Sequence, residues 1–485
     1  MYCYRIGDCV DRELVGGKGS SLSIMKRMGL NVPPGVTLTT DAFRAWKAGK
    51  ISIEQLYRKH VAPLLKLEVP RLGRGQSVSV RSGAASSMPG MMETVLNLGA
   101  RDERHKLAYV MSYIKAAGER LDEANDVIDA ALLKHGTFLL EKIDSPELMV
   151  RLTDIAGVGV QGTARSNLLS AIELVFKSWD NPKAVDYRQR IGVAEDKGTA
   201  CTIQLMVDGL KGFSGVMLTR GDQYFNGPQI DWIPNAQGDS VVDGALPTLD
   251  AGVLSERYPD VFNELVEVAM SVEAQYHDAM DIEFTYDGKE LYILQARSMK
   301  RTPLDAMTIA LNLWRDKIID KPQVMAVPLA DDEYDDVTCE AEPIGSGYPI
   351  SGKLLMGRVH YYEGDPIESD HILLREITTT NDIAAMTQAL ATITTTGGPT
   401  CHAALVAREL GLTAIIGTGD ILLRNNADIT ITPDGNIYRG VVEMKVERKS
   451  RGIRQALAEL QERLRNMEDK LPMPLDQPKE SDEQH

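Results

Sequence analysis

The sequence of 485 residues has little cysteine, no long apolar run and no excess of basic residues. Its cysteines, at positions 3, 9, 201, 339 and 401, are scattered without a CxxC pair, which argues against a disulfide framework and a zinc site. No apolar run approaches the length of a membrane-spanning helix. The 69 Asp and Glu residues outnumber the 53 Lys and Arg residues and give a net charge of −16, which disfavours non-specific binding of nucleic acid.

These absences and the chain length suit a soluble protein with two or more hydrophobic cores. Residues 1–5 lack the apolar region of a secretory signal, so we expect a cytoplasmic protein that engages neither membrane nor nucleic acid. An anionic nucleotide is still compatible with this composition, because a local basic pocket can bind it despite the overall negative charge.

The most informative segment is residues 396–411, TGGPTCHAALVARELG. Its glycines allow close backbone approach, Thr400 is a favourable N-cap, residues 403–410 favour a helix, and Gly411 ends it. His402 is therefore predicted in the first helical turn, where free N–H groups and the helix dipole stabilise an anion. That position suits an imidazole nucleophile that carries a phosphoryl group. The alternative is a histidine that only caps or packs.

A glycine-rich segment near the start, Gly16 to Ser21 (GGKGSS), precedes a predicted helix that runs to Gly29. Its amides and the Lys18 ammonium can bind phosphate, although a glycine turn before a helix is more often only a turn. Residues 77–83 (SVSVRSG) alternate like a strand. Arg81 at the end of this strand can bind phosphate oxygens through two parallel hydrogen bonds, or form a surface ion pair.

Residues 281–297 are typical of a β-hairpin that turns at Asp287-Gly288. The two-residue period of a strand places Asp281 and Glu283 on one face, an oxygen-rich pair suited to Mg²⁺. Paired carboxylates on a strand often form only a solvated face, and this alternative stays open.

The second strand of the hairpin places Gln295 and Arg297 together on one face. They share that face with the two carboxylates only if the connecting loop has an odd number of residues, with Gly288 at positive φ. A two-residue turn would place the two pairs on opposite faces.

The middle of the chain is predicted to connect two parts. Helical spacing in residues 305–319 and the acidic run 331–336 indicate a linker. A compact β-rich α/β module is expected to begin near Ile344. Its predicted strands are residues 353–361, 372–375, 391–395, 413–416 and 427–432, with helices near 380–390 and after His402.

The end of the chain is charged and helical in pattern. Its apolar residues follow a short coiled-coil seam, which would mediate self-association or pack on the chain itself. The seam comprises Val446, Ile453, Leu457, Leu460, Leu464, Met467 and Leu471. The acidic, proline-rich residues 472–485 are predicted to be disordered.

Taken in order, these segments resemble the pyruvate, phosphate dikinase family, whose members interconvert phosphoenolpyruvate and pyruvate through a phosphohistidine. The matching strings are residues 17–19, 78–99, 178–184, 187–188, 198–200, 204–207, 214–220, 235–238, 281–301 and 396–411. The chain departs from the commonest family form at Pro399 and Cys401, where methionine and serine are more usual, and we expect a structural thiol at Cys401. Residues 101–160 carry no family motif that we identify.

The resemblance implies an α/β (α+β) multidomain fold. The implied domains are an ATP-grasp-like nucleotide-binding domain over 1–300, a helical and acidic linker over 301–343, a swivelling phosphohistidine domain over 344–442, and an amphipathic helix with a disordered tail over 443–485. The implied ATP- and phosphate-handling residues are Lys18, Arg81, Glu283, Gln295 and Arg297, with Gln204, Met206 and Val207 beside the adenine and Asp281 and Glu283 holding Mg²⁺.

By the same resemblance, His402, assisted by Lys18 and Arg81, attacks the β-phosphorus of ATP and releases AMP. Inorganic phosphate then removes the terminal phosphoryl group as pyrophosphate, and the remaining phosphohistidine serves pyruvate. The family's (βα)₈ barrel, which holds the pyruvate site, should start where this sequence ends, so we expect the acceptor site on a separate chain. Two alternatives stay open: a kinase for another protein or small molecule, and a non-catalytic nucleotide-sensing regulator.

Overall fold

The computed structural model of the protein is mixed α/β, as predicted, with strands and helices interleaved along the chain. It describes residues 1–86, 88, 91–118, 121–135, 146–157, 160–190, 192–194, 197–221, 227–237, 248–361, 366–379 and 382–468. The disorder predicted for 472–485 concerns residues outside this description. No helix in the described ranges is long and apolar enough to cross a membrane.

The strands form four sheets. In chain order they are β1 (Cys3–Arg5), β2 (Gly35–Leu38), β3 (Val78–Gly83), β4 (Thr94–Leu98), β5 (Ala200–Leu205), β6 (Phe213–Leu218), β7 (Gln229–Pro234), β8 (Met280–Tyr286), β9 (Leu291–Ser298), β10 (Glu333–Thr338), β11 (Gly345–Ser346), β12 (Tyr348–Ile350), β13 (Leu355–Tyr361), β14 (His371–Arg375), β15 (Ala391–Thr394), β16 (Ala414–Ile416), β17 (Asp428–Ile431), β18 (Asn436–Arg439) and β19 (Lys445–Ser450).

The helices cover the sheets or connect them. In chain order they are α1 (Arg12–Arg27), α2 (Thr40–Lys47), α3 (Ile53–Leu56), α4 (Ala62–Glu68), α5 (Glu103–Ala117), α6 (Leu121–His135), α7 (Pro146–Ala156), α8 (Ala164–Lys177), α9 (Pro182–Arg190), α10 (Ala251–Arg257), α11 (Pro259–Tyr276), α12 (Pro303–Arg315), α13 (Lys321–Ala326), α14 (Ile383–Gln388), α15 (His402–Leu410) and α16 (Ile453–Glu468).

The first sheet is antiparallel, in the order β1-β2-β5-β3-β4. An aromatic cluster of Phe43, Phe176 and Trp179 lies in its hydrophobic core, where the rings meet edge to face. The stretch 101–160, in which we identify no family motif, contributes apolar residues of α5 and α7, such as Ile114 and Leu152, to the same core.

The second sheet is also antiparallel, in the order β7-β6-β8-β9. One of its faces is apolar and packs on α10 and α11, burying Phe213, Trp232, Ile282, Phe284 and Leu265. Burial of this face against two helices leaves the opposite face of the sheet for polar side chains.

The third sheet has eight strands in the order β11-β18-β17-β13-β14-β15-β16-β12. Strands β13 to β16 are parallel to one another, and the outer pairings are antiparallel. The five predicted strands of this module are confirmed. The sequence pattern missed the short strands β11, β12 and β18.

The acidic run 331–336, predicted as linker, instead forms most of strand β10, which pairs along its length with the basic strand β19. Arg448 donates to Glu333 (2.9 Å) and Asp335 (2.8 Å), and Lys449 pairs with Asp336. Opposite charges on the two strands therefore stabilise a ribbon in place of an open linker. The chain enters and leaves the eight-stranded sheet through this ribbon.

The predicted seam begins later than expected, since Val446 lies on β19 and α16 begins at Ile453. Leu457 and Leu464 are buried against α12 and α13, among Met307, Leu313 and Val324. Leu457 and Leu464 therefore pack on the chain itself and are not available for the self-association considered above. Leu471 lies outside the described residues.

We predict that Leu457→Ala lowers the free energy of unfolding by about 2–5 kcal/mol, because it leaves a cavity between α16 and α12. Val446→Ala, at a side chain that is 51% exposed, is the control and should change it by less than about 0.5 kcal/mol. Urea denaturation measures both effects. Light scattering should show an unchanged mass; a lower mass for Leu457→Ala would mean that the seam joins two copies.

Candidate active site

His402 is the first residue of α15, as predicted, but the N-cap is Cys401 and not Thr400. The first helical hydrogen bond runs from the Leu405 N–H to the Cys401 carbonyl (3.0 Å), so the three preceding amides have no acceptor within the helix. Burial raises the pKa of Cys401 to about 11. A neutral, buried thiol fits the structural role expected of Cys401.

The imidazole of His402 is partly buried, and its Nδ1 lies 3.0 Å from the Thr378 hydroxyl. Burial lowers the pKa of His402, and the Asp382 carboxylate partly offsets this, so the ring is neutral at physiological pH. In the tautomer whose Nδ1–H donates to the Thr378 hydroxyl, the lone pair lies on Nε2, the state required of a nucleophile. A small cleft beside the ring is lined by Thr394 and Thr396 among others.

Lys18 and Arg81 are brought together by a contact between two glycines. Gly16 has φ +70° and interrupts the first turn of α1, and a Cβ placed on it would overlap the Gly83 carbonyl oxygen at the end of β3. The Gly17 N–H also donates to the Ala84 carbonyl (2.9 Å). The predicted phosphate-binding turn therefore packs against the end of the strand that carries Arg81.

Arg81 makes no surface ion pair with any residue in the described ranges. Its Nε is buried and has no hydrogen-bond partner among the described residues. Burial lowers the pKa of Lys18 to about 7, with Arg81 and Arg297 contributing in the same direction and Glu283 opposing them. These four charged side chains are thus close enough to influence one another, although they come from three distant segments of the chain.

The hairpin brings its polar side chains to one face, as predicted, but by a different route. Asp281 pairs with Arg297 and Glu283 pairs with Gln295. The predicted odd-length loop is wrong, because residues 287–290 form a four-residue connection with Gly288 at φ +90°. A β-bulge between Glu283 and Phe284 shifts the register by one residue and restores the shared face.

The Asp281 carboxylate is buried, and burial raises its pKa while Arg297 opposes the rise. Its Oδ2 accepts from Arg297 Nε at 2.8 Å, whereas Oδ1 is buried and has no hydrogen-bond partner in the described part of the chain. An unsatisfied carboxylate oxygen beside Glu283 fits a hard cation such as Mg²⁺, which prefers oxygen ligands.

The predicted adenine-contacting residues lie at the end of β5. Gln204 is buried, and its side-chain amide donates to the Pro33 carbonyl (3.2 Å). The Met206 N–H donates to the Ser77 carbonyl (2.9 Å), and the side chain of Val207 is buried. The structure brings this segment alongside β3, where Arg81 lies, and contact with adenine stays a prediction.

Asp231 is a buried residue that the sequence patterns missed. Its Oδ2 accepts from both the Thr400 N–H (2.9 Å) and the Thr400 hydroxyl (2.8 Å), which is why Thr400 does not cap α15. A Cβ placed on Gly398 would lie 2.5 Å from the Asp231 carboxylate oxygens, so only glycine allows this approach. The signal that could have identified Asp231 was an aspartate in a strand whose neighbouring residues are buried.

Strand register places Asp231 on the same sheet face as the hairpin residues. Val216 of β6 pairs with both Asp231 and Glu283, and directly paired residues of an antiparallel sheet share a face. The neighbouring row runs from Gln229 through Leu218 to Asp281. The loop before His402 therefore rests on the face that carries the predicted nucleotide-binding residues.

The other end of α15 is held at the far side of the same sheet. Glu409 accepts from Lys300 Nζ (2.7 Å) and from the Tyr187 hydroxyl (3.3 Å). A nine-residue helix is about 14 Å long, which matches about 14 Å between the first and last of four adjacent strands. Helix α15 thus crosses the sheet from β7 to the end of β9.

A second cluster of metal-ligand types, Glu368, Asp370 and His371, lies in the eight-stranded module. Arg358 pairs with Glu368 and with Asp370, each at 2.7 Å. His371 Nδ1 accepts from the Glu368 N–H, so the proton of the neutral ring is on Nε2. With its carboxylates and imidazole lone pair engaged, this cluster is a poor candidate for the metal.

We predict that Gly16→Ala destabilises the protein and separates Lys18 from Arg81, because the added methyl group meets the Gly83 backbone. Gly29→Ala is the matched control, since Gly29 also has positive φ (+87°) but no other atom within 4 Å of the new Cβ. Gly29→Ala should cost about 1–2 kcal/mol, and Gly16→Ala about 1–3 kcal/mol more. Equal urea midpoints for the two variants would contradict the glycine contact.

Comparison with known proteins confirms the resemblance carried by these segments. A family model described as the pyruvate phosphate dikinase AMP/ATP-binding domain matches residues 51–257 and 259–312. A second, described as the mobile domain of PEP-utilising enzymes, matches residues 367–436, which include His402.

Curated relatives point the same way. Pyruvate, phosphate dikinase 1, chloroplastic, of Oryza sativa subsp. japonica is 31% identical over 487 residues, covering 90% of this chain and 51% of the relative. Pyruvate, phosphate dikinase of Clostridium symbiosum is 31% identical over 480 residues, covering 88% of this chain and 54% of the relative. The chain spans about half the length of these relatives. By family models and relatives alike, it belongs to the pyruvate, phosphate dikinase family.

Proposed function

We propose that this protein is an ATP-dependent phosphotransferase that carries the phosphoryl group on His402. The position of α15 supports this most directly. The loop before α15 contacts Asp231, and its last turn contacts Lys300. The helix therefore lies across the sheet face that bears Asp281 and Glu283. The AMP/ATP-binding description of the matching family model supports a nucleotide at this face.

The charges of this face suit the triphosphate of ATP. Lys18, Arg81 and Arg297 would spread the negative charge that builds up on the phosphate oxygens during transfer. Asp281 and Glu283 would hold Mg²⁺, which when bound adds further neutralisation of phosphate charge. Gln295 lies opposite Glu283, where its amide can orient the carboxylate or a phosphate oxygen.

In the proposed reaction, the lone pair of His402 Nε2 attacks the β-phosphorus. The bond from that phosphorus to the α-phosphate oxygen breaks, and AMP leaves with the electron pair. Inorganic phosphate then attacks the terminal phosphorus of the pyrophosphorylated histidine. The bond from that phosphorus to the bridging oxygen breaks, the oxygen stays with its electron pair on the phosphohistidine, and pyrophosphate leaves. One phosphoryl group remains on Nε2, while Thr378 accepts a hydrogen bond from the Nδ1–H throughout.

For the last step we propose that the eight-stranded module leaves the sheet face and presents the phosphohistidine to pyruvate, or to another acceptor on a separate chain. Pyruvate is supported by the names of the relatives. Movement is supported by the ribbon of β10 and β19, the connection of the module to the preceding helices, and by the family description of a mobile domain.

Labelling with Mg-ATP that carries a radioactive β-phosphorus, in the presence of phosphate, tests the proposal. The wild-type protein should release AMP and acquire an acid-labile label, and His402→Ala should acquire none. His60→Ala, at a histidine distant in sequence from the site, is the matched control and should label normally. Lys18→Met or Arg81→Met should slow labelling by about a hundredfold, as expected on removal of a charge-stabilising group.

Other outcomes of this experiment separate the alternatives. Equal labelling of His402→Ala would refute the carrier assignment, and ATP binding without any label would indicate a nucleotide-sensing regulator. Adding pyruvate to the labelled protein shows whether the chain alone discharges its phosphohistidine. Discharge only after a second protein is added would identify an acceptor on a separate chain.

The lowered pKa of Lys18 predicts that nucleotide binding depends on pH. Because its pKa in the nucleotide-free protein is lowered to about 7, Lys18 is largely neutral at higher pH and must gain a proton to pair with phosphate. In a His402→Ala background, the affinity for Mg-ATP should fall by up to about tenfold per pH unit above that pKa. Calorimetry should show proton uptake, and Lys18→Met should abolish both effects. Persistence of the uptake in Lys18→Met would assign it to another group.

A further inference from the structure

A buried carboxylate, that of Asp382, is connected to the surroundings of the His402 imidazole through two adjacent threonines. Its Oδ2 accepts from the Thr379 N–H (2.7 Å) and hydroxyl (2.9 Å), and its Oδ1 lies 3.4 Å from Arg375 Nη2. Thr378, the residue next to Thr379, is the hydrogen-bond partner of His402 Nδ1. Two adjacent threonines thus join the imidazole and the carboxylate to the same short segment.

Asp382 does not cap α14 through the amides that follow it, but it lies three residues after Thr379 and accepts from the Thr379 N–H and hydroxyl, a reciprocal helix-start pattern that fixes the position of its carboxylate. The residue directly precedes α14, where aspartate commonly accepts hydrogen bonds from the first helical amides. Within the described residues its carboxylate makes no such bond, and its backbone (φ −84°, ψ −7°) is helical, unlike the extended conformation of a typical cap. The carboxylate faces Thr379 and Arg375 instead.

Burial lowers the pKa of His402, and the Asp382 carboxylate, which favours the cationic ring, opposes this effect. Three other titratable groups lie on the segments around the ring. Cys401 is a neutral thiol, Asp231 is engaged by Thr400, and Glu376 is exposed. Arg375 partly neutralises Asp382 and so limits its effect on the ring.

We propose that Asp382 is a positioning residue that stabilises the cationic ring formed when His402 accepts a phosphoryl group, and that Arg375 sets the strength of this effect. The inference rests on the proposed function. When the Nε2 lone pair forms the N–P bond, the electrons of the broken P–O bond leave with the departing phosphate oxygen. The proton stays on Nδ1, donated to Thr378, so the ring gains one positive charge.

The same charge matters in the return direction. A phosphorylated ring that is cationic is the better leaving group, because it departs as a neutral imidazole. A carboxylate that stabilised the cationic ring too strongly would slow onward transfer of the phosphoryl group. A carboxylate that stabilised it too weakly would disfavour formation of the cationic ring. A carboxylate shared with an arginine provides an intermediate strength, which suits a group that must both accept and release phosphate.

The test measures the pKa of His402 by NMR titration of its ring nitrogens in the nucleotide-free protein. Asp382→Asn should lower this pKa, and Arg375→Gln should raise it, because it leaves the carboxylate without its neighbouring cation. Asp434→Asn, at an exposed carboxylate of the same module, is the control and should change nothing. A merely structural role would not shift the pKa in opposite directions for the two variants.

A second measurement follows the label on His402. Asp382→Asn should lower the steady-state fraction of phosphohistidine several-fold, and Arg375→Gln should slow discharge of the label to the acceptor or to pyrophosphate. If Asp382→Asn fails to fold, the rise in the His402 pKa expected for Arg375→Gln tests the inference by itself. An unchanged His402 pKa in folded variants would overturn the inference while leaving normal labelling, and hence the proposed function, intact. Absence of label in the wild type would overturn both.

Discussion

The buried carboxylate of Asp231 is the junction on which the site depends. It accepts two hydrogen bonds from Thr400, and Gly398 leaves room for it to approach the backbone. Burial raises the pKa of Asp231, and the bonds from Thr400 oppose the rise. Without this junction, the loop before His402 would have no fixed position on the sheet face that bears Asp281 and Glu283.

A junction of this kind is also reversible. Hydrogen bonds to a charged group are worth about 1.5–3 kcal/mol each, but undocking returns the carboxylate to water and recovers most of the cost of its burial. The other contacts of α15, through Glu409 to Lys300 and Tyr187, are polar as well. These polar contacts of α15 can separate and return to water, which would suit the carrier role that we propose.

The charged groups on the proposed nucleotide-binding face differ from those around His402. On the nucleotide side Lys18, Arg81 and Arg297 face two carboxylates, so the site is attractive to phosphate and still able to hold a cation. On the carrier side the carboxylate of Asp382, moderated by Arg375, acts on the imidazole. In the proposed reaction, this arrangement would leave the ring neutral before transfer and compensate its charge afterwards.

Local patterns in the sequence determined much of this organisation. A glycine pair before a helix, alternation along 281–297 and a histidine at a helix start each depend on a few neighbouring residues, so they were predictable. The five strands of the carrier module were predictable for the same reason. Pairing of the acidic run with β19 was not, because its partner lies more than a hundred residues away.

Only the tertiary structure decided which of these segments meet. Whether the two pairs of polar residues in the hairpin share a face depends on a β-bulge that no periodic pattern reveals. Without the bulge, the same residues would lie on opposite faces of the sheet. Asp231, Thr378 and Asp382 carry no motif, and their roles arise from contacts with Thr400, His402 and Thr379. Local sequence determines the conformation of each segment, whereas burial and charge pairing between distant segments determine which side chains form one site.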